Sequence, residues 1–145
     1  MLSHPHTPVI RTALVDEPLS VTEHEAAVAH ASAGAVVSFA GVVRDHDGGR
    51  GVVRLTYEAH PSAAAVLAEV AADLAKDPAV LGLAVSHRIG ELGIGDVALA
   101  AAVATGHRAE AFAICARLVD EVKARLPVWK HQHFTDGSDE GVNSP

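Results

Sequence analysis

Hydrophobic and polar positions along the chain fall into short blocks whose period changes from one block to the next. Residues 9–15 (VIRTALV) form an apolar-rich run closed by Asp16-Glu17-Pro18 and predict a strand. Ser20 followed by Glu23 has the spacing of a capping box, and the alanine-rich stretch 23–31 behind it predicts a helix. Residues 34–44 read Gly-Ala-Val-Val-Ser-Phe-Ala-Gly-Val-Val-Arg. That run is too continuous for a strand wetted on one side, so it predicts a central strand buried on both faces. Asp45-His46-Asp47-Gly48-Gly49-Arg50 is a turn cluster, after which Val53, Leu55 and Tyr57 alternate with Arg54, Thr56 and Glu58. The two runs are expected to pair as a hairpin.

Pro61 suits a first helical turn, and residues 62–76 carry Val66, Val70 and Leu74 at helical spacing. Residues 81–89 and 96–105 predict two strands, separated by the glycine-rich segment 90–95. A long helix over 107–125 follows, with an expected core stripe of Phe112, Cys115, Val119, Val122 and Leu126. Pro127 stops it, and 128–134 predicts a last strand. The order β-α-β-β-α-β-β-α-β implies an α+β fold. One domain over 1–134 is expected, with 135–145 as a polar tail that orders only against something.

The chain has 145 residues, 49% hydrophobic and 20% charged, which supports one packed core and excludes general disorder. Its net charge of −7 disfavours non-specific nucleic-acid binding, so any anion must be held by a local pocket. The single cysteine, Cys115, excludes an internal disulfide and falls on the apolar stripe, where it reads as a small buried hydrophobe. No apolar run is long enough to span a bilayer and no signal pattern opens the chain. A soluble cytoplasmic protein is expected.

Cationic residues gather at the ends of the predicted elements. Arg44 closes one strand and His87-Arg88 another, while Lys123 lies late in the long helix and Lys130 on the last strand. His107-Arg108 opens that helix, where cations oppose the dipole, and a local rule broken in this way marks a candidate anion site. His131 and His133 alternate on one strand face as a candidate ligand pair. No third ligand has diagnostic spacing, and His4 and His6 fall in the N-terminal segment, so no metal is expected. Glycines 90, 93 and 95 precede a strand rather than a helix, which argues against a dinucleotide site.

Several of these blocks occur together in a fixed order. They are the 34–44 strand, Leu55-Thr56-Tyr57-Glu58-Ala59, His87-Arg88-Ile89-Gly90-Glu91-Leu92 with Gly95-Asp96, His107-Arg108 with Ala111-Phe112, and Lys123-Ala124-Arg125-Leu126-Pro127-Val128-Trp129-Lys130. In this the chain resembles the catalytic large subunit of molybdopterin synthase over about residues 9–142. The resemblance implies a hammerhead-like α/β unit with an additional antiparallel sheet. It also implies a sulfurtransferase that moves two sulfurs onto cyclic pyranopterin monophosphate, forming the dithiolene of molybdopterin.

The sulfur would come from a small ubiquitin-like carrier protein ending in a Gly-Gly thiocarboxylate, and the assembly would be a homodimer within a heterotetramer. Lys123 and Lys130 match the family's two active-site lysines. Lys123 is assigned as principal acid/base and Lys130 as stabiliser of thiocarboxylate and intermediate. Arg44, His107 and Arg108 would hold the phosphate, with Val42, Val43, His131 and Gln132 as further substrate contacts. Since the partner delivers the sulfur, neither a cysteine nucleophile nor a cofactor is needed. The chain departs from its relatives at Val42, where many have lysine, at His131-Gln132, and at its C-terminal residues. The alternative reading is a non-catalytic scaffold of the same fold that binds carrier or pterin.

Overall fold

The computed structural model describes residues 7–142, so His4 and His6 lie outside the described residues. The elements run β1 (Val9–Val15), α1 (Val21–Ala27), β2 (Ala35–Val42), β3 (His46–Asp47), β4 (Arg50–Ala59), α2 (Ala63–Ala75), β5 (Val80–Arg88), β6 (Gly90–Gly93), β7 (Val97–Thr105), α3 (Arg108–Arg125), β8 (Val128–Phe134) and β9 (Asp139–Val142). They build two sheets. The first has the order β1-β5-β7-β2, with β1 parallel to β5 and the other pairs antiparallel. The second is antiparallel, with β4 between β6 and β8, β9 beyond β8, and the short β3 on the start of β4. This is the expected α+β architecture, a hammerhead-like α/β unit carrying an added antiparallel sheet.

The two faces of the first sheet are built from different side chains. On one, Leu83, Val85, Ala101 and Val103 pack with Leu67 and Val70 of α2 and Leu118 and Val122 of α3 in the main core. On the other, Ala84, Ala102 and Ala104 make a low floor on which Val28 sits just behind α1. Gly82 belongs to that close approach, since a Cβ there would lie 2.9 Å from the Val28 Cβ and carbonyl oxygen. The helix itself is held by the Ser20 hydroxyl, which accepts from the Glu23 N–H at 3.1 Å. His24 then bridges the Ser20 carbonyl at 2.6 Å and the Ser86 hydroxyl at 2.7 Å.

Four expectations are corrected. The 34–44 run is not a central strand: β2 is a sheet edge whose residues alternate, with Val36 and Val42 exposed while Val37 and Phe39 pack on the core. The strands buried on both faces are β5 and the alanine-rich β7. Second, β2 does not form a hairpin with β4; it pairs with β7, and the chain leaves the first sheet after Val43. The tight turn joins only β3 to β4, through Gly48 and Gly49 at positive φ, the combination a two-residue hairpin loop requires. Third, the buried stripe of α3 is Ala111, Ile114, Cys115, Leu118, Val119 and Val122, which leaves Phe112 62% exposed. Fourth, residues 139–142 of the expected tail form β9 against β8.

The two stripes assigned to α3 make different demands on stability. Leu118→Ala should lose about 2–5 kcal/mol of unfolding free energy, whereas Phe112→Ala should lose less than about 1 kcal/mol. Urea unfolding of both variants measures this, and an equal loss would return Phe112 to the core.

Candidate functional site

A cleft of about 250 Å³ opens at the seam between the sheets, lined in part by Val42, Val43, Arg44, Lys123, Lys130 and Gln132. Three elements and one connecting segment supply these side chains. Val42 ends β2, and Val43 and Arg44 follow as the chain crosses to the second sheet. Lys123 lies in the last turn of α3, where its charge complements the helix dipole. Lys130 and Gln132 sit on one face of β8, opposite Tyr57 and Leu55 of β4.

One chain of contacts orders the mouth. The buried Gln132 donates from Nε2 to an Asp47 carboxylate oxygen at 2.8 Å, and the other Asp47 oxygen lies 3.6 Å from the Arg44 guanidinium. The Gln132 hydrogen bond foremost, then the charges of Lys130 and Arg44, hold the Asp47 carboxyl below the usual carboxylate range despite some desolvation. Gln132 thus reaches Arg44 through Asp47. Arg44 itself stays 64% exposed, so its guanidinium is available to an incoming anion.

The floor holds two residues that the sequence reading left outside the site, His87 and Tyr57. Their rings meet edge to face with centroids 4.8 Å apart. Burial pushes the Tyr57 hydroxyl up to about 12, so it stays protonated. Burial likewise lowers His87 to about 4, with the Lys123 charge adding to the effect. His87 Nδ1 lies 2.7 Å from the Arg88 carbonyl and, in the neutral ring, donates to it, which leaves Nε2 as an unprotonated acceptor. A neutral imidazole lets the Lys123 ammonium stand nearby without a second positive charge on the floor. The signal for both residues was in the quoted motifs, but neither reads as a pocket residue until the sheets are assembled.

The remaining three candidates lie elsewhere in the chain. His107 is the N-cap of α3 and lines a separate hollow with Pro78, Ala79 and Glu110, and Arg108 is exposed beside it. From Arg108 to Lys123 is 15 residues of helix, about 22 Å at 1.5 Å per residue. His131 alternates with Lys130 along β8 and lines an outer hollow with His133 and Trp129, at whose rim Lys130 also stands.

Two sheets sharing one core, with a cleft at their seam carrying three cations and a neutral histidine, define an α+β protein with a locally cationic cleft. The profile described as MoaE protein matches residues 14–125. The chain is 37% identical to a molybdopterin synthase catalytic subunit from Nostoc, over 96% of this chain and 90% of that one. It is 39% identical to molybdopterin synthase catalytic subunit 1 of Mycobacterium tuberculosis, over 87% and 86%. A crystal structure of molybdopterin synthase from Staphylococcus aureus superposes with a TM-score of 0.82 at 30% identity, covering 89% of this chain and 94% of that one. The chain belongs to the MoaE protein family, and the activity it shares with these relatives is that of the catalytic subunit of molybdopterin synthase.

The depressed His87 value has a consequence for acid stability. The unfolded chain binds a proton at His87 from about pH 6.5 downward, while the folded chain resists until about pH 4. Stability should therefore fall as the pH drops through that window, by up to about 3 kcal/mol from this group. Urea unfolding at pH 7 and pH 4.5 should show a smaller acid loss in His87→Gln than in wild type. Equal losses would mean that His87 titrates normally in the fold.

Proposed function

We propose that the seam cleft is a sulfur-transfer site, in which the chain acts as a sulfurtransferase on cyclic pyranopterin monophosphate. The observation that carries this reading is the convergence of Lys123 and Lys130, from a helix end and a strand, on one cleft with Arg44. The donor is a small ubiquitin-like carrier whose C-terminal Gly-Gly thiocarboxylate enters the cleft. An extended tail of glycines offers backbone groups and a terminal negative charge, which suits a narrow opening with ammonium groups inside. Each transfer breaks the carbon–sulfur bond of the carrier's thiocarboxylate and makes one on the pterin. The carrier's carbonyl takes an oxygen from water and ends as a carboxylate, and the oxygen displaced from the pterin carbon leaves as water. Charge must therefore be stabilised and protons moved in the same place.

Lys123 acts as the acid/base, because an ammonium gives up a proton where a guanidinium does not. Lys130 stabilises the thiocarboxylate and the intermediate. Arg44, oriented by Asp47, holds the phosphate, and Val42 and Val43 form the apolar wall beside it. His107 and Arg108 join the site from a second copy of the chain, in a homodimer that carries one carrier at each end. The span of α3 between Arg108 and Lys123 supports that division, since one protomer cannot present both ends of the helix to one small substrate. The reaction belongs to the cytoplasm, where a reduced, buried Cys115 is at home.

Single-turnover product formation against substrate concentration separates holding from chemistry. Arg44→Ala should raise the half-saturating concentration by about one to two orders of magnitude, the value of one charged hydrogen bond. Lys123→Ala should lower the saturating rate by about 10²–10⁴. Lys123→Arg should stay equally slow, and near-normal turnover there would remove the acid/base role. Mixing Lys123→Ala chains with Arg108→Ala chains should restore part of the activity. No recovery in mixed dimers would confine Arg108 to a role outside the cleft.

A further inference from the structure

We propose that the outer face of the β8–β9 hairpin is a divalent transition-metal site, with His131, His133 and Asp139 as its ligands. His131 and His133 are two residues apart on β8 and share a face, with ring centroids 4.9 Å apart. Asp139 lies directly across from His133 in the β8–β9 register, and its carboxylate oxygen is 3.6 Å from His131 Nε2. One ligand atom from each of the three falls within 4.8 Å of the others. A metal bound at about 2.0–2.2 Å from each needs the three atoms somewhat closer together, which small side-chain rotations supply because all three residues have solvent on one side. Opposite His131 on β9 stands Gly141, so no side chain from that position covers the ring.

Two imidazoles and one carboxylate select zinc and its first-row neighbours over magnesium or calcium, which prefer all-oxygen sites. The ligand set is separate from the cleft: Gln132 turns to the opposite face of the same strand, and Lys130, which lines the cleft, also reaches the rim of the outer hollow. Its position gives it a structural effect. β9 is four residues long, forms one edge of its sheet, and pairs only with β8 among the described residues. A metal bridging His131 and His133 to Asp139 staples that edge strand to its neighbour.

The test is calorimetric titration of zinc into the full chain carrying His4→Ala and His6→Ala, which removes the other closely spaced histidine pair. Hydrogen exchange of the β9 amides is followed in parallel. One zinc per chain is expected, with slower exchange across residues 139–142, and magnesium at the same concentration should do neither. Losing an outer partner of a metal ligand already costs about 10–100-fold in affinity, so His133→Ala and Asp139→Asn should each weaken zinc binding at least tenfold. Both should also abolish the added protection. Should His133→Ala fail to fold by circular dichroism, the exposed Asp139→Asn carries the comparison alone. Unchanged zinc affinity in the ligand variants, equal protection by magnesium, or no binding at millimolar zinc would overturn the proposal.

Discussion

The seam between the sheets is fixed by one partly buried cation. The Arg88 side chain, 14% exposed, places its guanidinium 3.3 Å from the Asp96 carboxylate. The same Asp96 oxygen accepts the Gly93 N–H at 2.8 Å, while Arg88 also reaches the Glu91 carbonyl at 3.4 Å. Three consecutive segments, the end of β5, the whole of β6 and the approach to β7, are thereby held by one ion pair. Since β5 belongs to the first sheet and β6 to the second, the pair sets how the sheets meet. Gly90 and Gly95 take positive φ on either side of it, where the chain must reverse within a few residues. The buried Arg88 Nε has no partner, so the arrangement is held by position and not by full satisfaction of the donor.

Fixing the seam fixes the electrostatics of the cleft. His87 is the neighbour of Arg88, so the guanidinium turns away toward Asp96 while the imidazole turns onto the cleft floor beneath Tyr57. The carbonyl that accepts from His87 Nδ1 is that of Arg88 itself, which ties the ring's tautomer to the same residue. The floor stays neutral while the walls carry Arg44, Lys123 and Lys130, with Asp47 alone offsetting them at the mouth. A net-acidic protein of charge −7 thus concentrates positive charge in one small concavity.

Local rules recovered most elements, and the errors share a cause. The Ser20–Glu23 cap and the stop at Pro127 are short-range signals that appear where they are expected. The alternation over β4 holds only from Arg54 onward, and Val53, expected on one face with Leu55 and Tyr57, is exposed. The partner of β2 is a long-range fact. Its valines resemble a buried strand, yet the more modest alanines of β7 occupy the centre, because a strand covered by helices on both faces needs small side chains on the close side. Phe112 misled for a related reason. A large apolar residue draws the stripe toward itself, whereas Ala111 is the one that fits where α3 comes close to its neighbours. The lysines were legible because their spacing survives as geometry across Pro127. Asp47 and Asp139 were not, since a polar residue beside glycines carries no period and gains meaning only from the strand it faces.

Both faces of β8 carry polar side chains gathered into clusters, so its register matters more than that of any other strand. Lys130 and Gln132 turn inward and His131 and His133 outward, and a slip of one residue would exchange the sets. The slip is resisted at the far end of the strand. Phe134 is buried, with the Arg50 guanidinium 3.6 Å from its ring centroid, and Arg50 also reaches the Ser138 hydroxyl at 2.5 Å and Glu140 at 3.3 Å. Backbone bonds close the corner, from the Thr135 N–H to the Gly51 carbonyl and from the Phe134 N–H to the Ser138 carbonyl, each at 2.9 Å. Near the same corner the β4 register shifts between Val52 and Arg54, so that Val52 is buried and Val53 exposed. The irregularity absorbs the mismatch before the strand reaches Leu55 and Tyr57, and the inward set then alternates without interruption to Lys130 at the cleft.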